Sequence, residues 1–297
     1  MRASDVGRLF LLAALWGGSF LFMRIAAPVF GSFNTAFLRV FFGAIGLFLI
    51  LFFFRSNFNF SGKGKASLLL GVVNSGIPFF MYCVAAKYIP AGYSSTLNAT
   101  TPLMGAIIGA LVFGEKLPYR RWCGVFLGII GIAIITANGS SEVGSGVAVG
   151  ILACLIATFC YGFAGFLTRR WITNRGGLDA KLVAFGSQVG ATIFLLPLFV
   201  WSIATDSSVD WYRLDVWGCI LAVGLLCTSF AYILYFRLIA DIGPLRSLTV
   251  TFLIPPFGVL WAYLVLGETI NRGFIIGSAV VLLAVVLVVM PAQENNS

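Results

Sequence analysis

The sequence predicts an all-α integral membrane protein of ten transmembrane helices, arranged as two inverted five-helix repeats. Three observations lead there. The 297 residues are 60% hydrophobic and only 10% charged, with a mean hydropathy of +1.02; a soluble domain carries about 25% charge. Residues 89–115 are written again at 242–268 without a gap. The basic residues gather on one side of the predicted spans.

Apolar runs of roughly 20 residues mark membrane-crossing helices. Ten such runs are legible, at 8–26, 33–54, 66–86, 92–113, 119–137, 146–168, 180–203, 215–237, 245–266 and 271–290. They consume nearly the whole chain, so no sizeable extramembrane domain is expected.

Taken in order, span one sets Trp16, Ser19 and Met23 on one helical face. Span two carries Arg39 about two turns in. Span three aligns Asn74, Pro78 and Tyr82, and span four aligns Asn98, Thr101 and Gly105, with Pro102 beside them. Span five is apolar, with Gly124 and Gly128 spaced for close helix contact. A polar Gly/Ser-rich junction fills 138–145. Span six has Tyr161 one turn after Thr158, and span seven has Ser187 and Gln188. Span eight sets Thr228, Tyr232 and Tyr235 on one face. Span nine holds Thr249, Thr251, Pro255 and Pro256, and span ten has Gly273 and Gly277.

The duplication divides the chain into halves, 1–138 and 139–297. The duplicated segment matches Ser94 with Ser247, Thr96 with Thr249, Pro102 with Pro255, Gly105 with Gly258, Gly114 with Gly267 and Glu115 with Glu268. The same offset pairs Gly71 with Gly224 and Tyr82 with Tyr235. At a smaller offset, Trp16-Gly17 aligns with Tyr161-Gly162 and Arg24 with Arg169. The period is far longer than that of a solenoid. Five spans per half is odd, so the second half must cross the membrane in the opposite sense.

Of the 19 lysines and arginines, Arg24, Lys87, Arg213 and Arg272 fall on the side away from the N-terminus, and Arg39 falls inside a span. The other fourteen lie on the N-terminal side. Positive charge marks the cytoplasmic face, so both termini are expected in the cytoplasm of a multi-pass plasma (inner) membrane protein. The net charge of +9 is spent on topology and does not argue for nucleic acid. Arg2 and Arg8 ahead of span one resemble a signal-peptide start, but the run is long and heads nine similar ones.

Several chemistries are excluded. Histidine is absent, and the six cysteines all fall in or at the edge of apolar spans without metal spacing. No phosphate-binding loop is present. An intramembrane enzyme would need a nucleophile with a base, or a metal, and the common dyads cannot be built. No metal or cofactor is expected. No Asp, Glu or His occupies the middle of a span, which argues against obligate proton coupling. Glu115 and Glu268 are expected to pair on the loop side, with Lys116, Arg120 or Arg121 and with Arg272.

A set of landmarks resembles the drug/metabolite transporter superfamily, in particular the ten-helix bacterial EamA-type members. They are Leu15-Trp16-Gly17-Gly18-Ser19-Phe20, Arg39, Tyr88-Ile89-Pro90-Ala91-Gly92, Asn98-Ala99-Thr100-Thr101-Pro102-Leu103 and Gly114-Glu115. Pro255 and Gly267-Glu268 repeat the pattern, and the resemblance covers essentially the whole chain. The second half departs in having Gly243-Pro244 for Pro90-Ala91 and Pro255-Pro256 for Pro102-Leu103. The resemblance implies transport of small metabolites, often amino acid export, through a central cavity shared by the halves.

Polar groups in lipid usually face the bundle interior. The substrate-binding candidates are therefore Trp16, Ser19, Asn74, Tyr82, Asn98, Thr101, Tyr161, Gln188, Tyr232, Tyr235 and Thr251. Arg39 is a candidate charge partner or gate, and Pro102 and Pro255 are candidate hinges. For each single residue, packing or an interface belt is the competing reading. Together they describe a largely uncharged aromatic and polar cavity, suited to neutral or zwitterionic solutes. The leading expectation is a secondary exporter of amino acids or similar small metabolites, working by alternating access. The alternatives are a facilitative carrier or exchanger of drug-like or nucleobase-like solutes and, behind it, an intramembrane enzyme. The expected partners are a small-molecule solute and the bilayer, with the chain a monomer or a homodimer.

Overall fold

Apolar runs in lipid must satisfy their backbone polar groups internally, which leaves helices as the solution for these sequences. The computed structural model describes residues 2–138, 146–247 and 249–290, and every regular element among them is helical. The junction beyond Asn138 lies outside the described residues. The elements are α1 (Ala3–Phe30), α2 (Ser32–Phe53), α3 (Gly64–Tyr88), α4 (Ala91–Asn98), α5 (Thr101–Leu111) and α6 (Tyr119–Asn138). After the junction come α7 (Val147–Trp171), α8 (Ala180–Thr205), α9 (Leu214–Ile242), α10 (Pro244–Ser247), α11 (Val250–Leu266) and α12 (Arg272–Val289).

Eight of the described helices are long and apolar enough to cross a membrane, and the chain is a multi-pass membrane protein. The fourth and ninth predicted spans are the exceptions, because each is interrupted. In the fourth, Thr100 N–H turns back to Leu97 O (3.0 Å) and ends α4. Pro102 then stands in the first turn of α5, where proline is tolerated. Its missing N–H would orphan the Asn98 carbonyl, and the Thr101 hydroxyl donates to it at 2.8 Å. Pro255 is not a copy of this: it lies inside α11, which a turn at Thr249 precedes. The two candidate hinges therefore sit differently, one starting a helix and one within it.

Two further departures from regular helix occur at equivalent places in the halves. α3 winds as π-helix over Val72–Gly76, and α9 does so over Ala222–Phe230. Such insertions are uncommon and frequently mark functional positions.

The largest packing interfaces all join one side of the junction to the other, and they are reciprocal. α1 packs on α11 as α7 packs on α5, and α1 lies against α9 as α7 lies against α3. α2 pairs with α8, and α6 pairs with α12. Small residues set the approach: a methyl on Gly17 would lie 2.8 Å from the Gly258 nitrogen, and one on Gly162 would lie 2.8 Å from the Gly105 nitrogen. Apolar side chains such as Phe53, Ile129, Leu152, Ile193 and Leu264 are exposed on the outer surface of the bundle.

Candidate functional site

Several candidate residues meet where the interrupted α4 packs beside α3 and α7. The Tyr82 hydroxyl on α3 donates to Asn98 Oδ1 at 2.8 Å, so the polar end of α4 is held by a buried tyrosine. The Tyr82 ring also meets Phe20 edge-on at 5.1 Å and Tyr161 of α7 at 6.2 Å. Across the bundle, Trp16 of α1 meets Tyr235 of α9 at 5.3 Å. Tyr232 joins that second group through Phe236, which lies 5.6 Å from Tyr232 and 6.0 Å from Tyr235.

These contacts have a symmetry that the repeat makes visible. Tyr82 corresponds to Tyr235, and Tyr161 corresponds to Trp16. The Tyr82–Tyr161 contact is thus the counterpart of the Tyr235–Trp16 contact. Each joins an aromatic residue of one half to an aromatic residue of the other.

The remaining candidates are dispersed among several helices. Ser19 is buried, and its hydroxyl donates to the Trp16 carbonyl at 2.6 Å, within its own helix. Gln188 is fully buried in a separate knot: its Nε2 donates to Ser75 Oγ at 3.0 Å, tying α8 to the π-helical turn of α3. Asn74 lies in that same turn and Thr251 in the first turn of α11, both half-buried. Arg39 is buried on α2 beside Met23 and Phe79, and it does not snorkel to the surface. A hollow of about 510 Å³ lies elsewhere, among loop residues including Asn57, Asn59, Gly176 and Asp179.

The carboxylates correct the expectation of loop-side pairs. Glu268 pairs with Arg24 (Nε to Oε1, 3.4 Å), and Glu115 pairs with Arg169 (3.7 Å). Each glutamate is placed by the glycine before it. Gly114 and Gly267 have φ of 67° and 65°, a left-handed turn that closes the helix. The following N–H then reaches six residues back, Glu115 to Gly109 O (2.8 Å) and Glu268 to Ala262 O (3.2 Å). This folds each acid toward the other half rather than into its own loop.

The two pairs differ in their surroundings. Both Glu268 oxygens accept from Ala91 N–H, at 2.9 and 3.2 Å, capping the start of α4. Arg24 also donates to the Ala86 carbonyl at the end of α3. The Glu115–Arg169 pair is exposed, with side chains 45% and 69% accessible against 15% and 29% for Glu268 and Arg24. The arginines were missed as partners, although the alignment of Arg24 with Arg169 was itself the signal.

Comparison with known proteins agrees with this architecture. The model of the EamA-like transporter family matches residues 7–137 and again 148–290. An uncharacterized transporter of Bacillus subtilis, YoaV, is 22% identical over 90% of this chain and 90% of its own length. A protein of Salmonella typhimurium described as a probable amino-acid metabolite efflux pump is 24% identical over 92% of this chain and 90% of its own. A crystal structure superposes with a TM-score of 0.67 over 100% of this chain and 99% of the other, at 16% identity, which shows a shared fold. With both halves matched and relatives covered across 90% of their length, the chain belongs to the EamA-like transporter family and is a transporter, not an enzyme.

Proposed function

We propose that this transporter exports amino acids or similar small metabolites by alternating access of two inverted repeats, 1–138 and 139–297. The observation that carries the reading is the reciprocity of contacts between the halves. Tyr82–Tyr161 answers Tyr235–Trp16 in the interior, and Arg24–Glu268 answers Arg169–Glu115 at the ends. Two halves that exchange the same contacts can rock between two related arrangements around a shared centre. With both termini in the cytoplasm of the inner membrane, Arg24–Glu268 closes the outer end and Arg169–Glu115 the inner end.

The interrupted α4–α5 span supports a solute site at its break, since discontinuous helices present free backbone groups at the membrane midplane. Asn98 stands at that break, with Tyr82 bonded to it. Rings and an amide suit a solute with an apolar side chain. The efflux-pump description of the Salmonella relative favours the amino acid class.

The test is counterflow of radiolabelled L-leucine, with a panel of other amino acids, in proteoliposomes of the full chain. A saturable exchange is expected. Tyr82→Ala and Asn98→Ala are expected to lower the rate about tenfold or more, as loss of a buried hydrogen-bond partner does, while both variants insert normally. Wild-type kinetics in both would remove Tyr82 and Asn98 from the site. Absence of saturable exchange for every amino acid would remove the substrate class.

A further inference from the structure

Arg39 is a buried cation with no anion beside it among the described residues. It is 5% exposed. Its guanidinium carbon lies 3.6 Å from the Phe79 ring centroid, and Nη1 lies 3.1 Å from Met23 Sδ. Its Nε is buried and has no acceptor. Among the described residues, the ion pairs engage Arg8, Arg24, Arg169 and Arg213, and no carboxylate reaches Arg39.

A structural arginine in this same protein looks different. Arg24 has a carboxylate and a helix-end carbonyl. Arg39 has a ring face and a thioether, which steady a guanidinium without neutralising it. Intramembrane charges are costly, and they ordinarily face a partner or a pathway. The guanidinium is also a planar fork matched to a carboxylate. Its two neighbours stand one helical turn from a candidate solute residue and its ring partner: Phe79 precedes Tyr82 by three positions on α3, and Met23 follows Phe20, whose ring meets Tyr82 at 5.1 Å.

We propose that Arg39 receives the carboxylate of the transported solute, an inference that rests on the transport reading above. The ligand class is a small organic monocarboxylate with an apolar body, zwitterionic amino acids included. The apolar body lies against Tyr82 and Tyr161, whose rings belong to opposite halves. No acidic side chain stands among these residues to take an ammonium group. The carboxylate is therefore the group that is recognised, and the amine is dispensable.

The experiment uses the purified full chain in nanodiscs and three probes beside L-leucine: 4-methylpentanoate, its isosteric amide 4-methylpentanamide, and 3-methylbutylamine, which is leucine without its carboxylate. Binding is read as ligand-dependent thermal stabilisation. The expected result is binding of 4-methylpentanoate and L-leucine, with the amide and the amine at least about tenfold weaker. Arg39→Lys is expected to weaken carboxylate binding about tenfold or more, and Arg39→Met to abolish the preference for carboxylate over amide. Equal binding of acid and amide by the wild type overturns the proposal, whatever the variants do. So does an unchanged preference in Arg39→Met. L-Leucine counterflow separates this from the parent reading. Arg39-dependent binding of 4-methylpentanoate without amino acid counterflow refutes the amino acid class and keeps the carboxylate site. Undiminished counterflow in Arg39→Met refutes the site and keeps the exporter.

Discussion

Exchanging the partners of the pair proposed to close the outer end, Arg24→Glu with Glu268→Arg, is expected to leave counterflow at least about tenfold below wild type. The same exchange at the inner pair, Glu115→Arg with Arg169→Glu, is expected to leave it within about twofold. The reason lies in what each carboxylate does besides pairing. Both oxygens of Glu268 receive the Ala91 N–H at the start of α4, so an arginine there puts a positive charge against a helix N-terminus. A glutamate at position 24 in turn leaves the Ala86 carbonyl without its donor. Charged hydrogen bonds of this kind contribute about 1.5–3 kcal/mol each, enough to shift a two-state equilibrium by tenfold or more. The inner pair has no such role. The residue that corresponds to Ala91 is Pro244, which has no N–H to offer Glu115. Glu115 and Arg169 meet as an exposed ion pair at 3.7 Å, and such pairs are worth about 0–1 kcal/mol in either orientation. Proteoliposome counterflow of the two double variants decides the matter. Rescue of the outer exchange to the level of the inner one would mean that Glu268 acts through charge alone.

That contrast shows what could be read from the residues and what could not. Hydropathy located the helices because lipid leaves the backbone no alternative, and eight of those described are long and apolar enough to cross. The fourth and ninth spans were drawn as unbroken runs, since apolar composition is blind to a turn at Thr100 or to a helix that starts only at Val250. The duplicated prolines suggested matched hinges. Their helical positions diverge because Pro102 opens a helix and Pro255 sits inside one. The aromatic and polar candidates were chosen by face, one helix at a time. Two residues chosen in this way, Tyr82 and Asn98, bond to each other across helices. Gln188 and Ser19 bond to Ser75 and to the Trp16 carbonyl. The glutamate partners were assigned by nearness in sequence, where Lys116 and Arg272 are adjacent. Pairing across the repeat needed one more step: two aligned arginines and two aligned glutamates, crossed between halves, give both ion pairs.

The glycine contacts between halves separate tight packing from motion, and they are not equivalent under substitution. Gly162→Ala is expected to destabilise the protein by about 1–3 kcal/mol, the usual cost of an overpacked contact. The new methyl would stand 2.8 Å from the Gly105 nitrogen and 3.1 Å from its Cα, both backbone atoms that cannot swing aside. Gly17→Ala is expected to behave alike, with the Gly258 nitrogen at 2.8 Å and Phe257 Cβ at 2.9 Å. Gly105→Ala faces the same interface as Gly162, yet the nearest atom to its methyl is the Gly162 Cα at 4.0 Å. Its melting temperature and counterflow rate should therefore stay near wild type, within about 0.5 kcal/mol for stability. Thermal unfolding of the three variants in detergent, read beside proteoliposome counterflow, tests both halves of the claim. Equal destabilisation at Gly105 and Gly162 would contradict the packing. Unchanged melting at Gly105 with lost transport would carry a different meaning: α5 and α7 would then come closer during the cycle than they stand here, and the small residues would form a sliding surface.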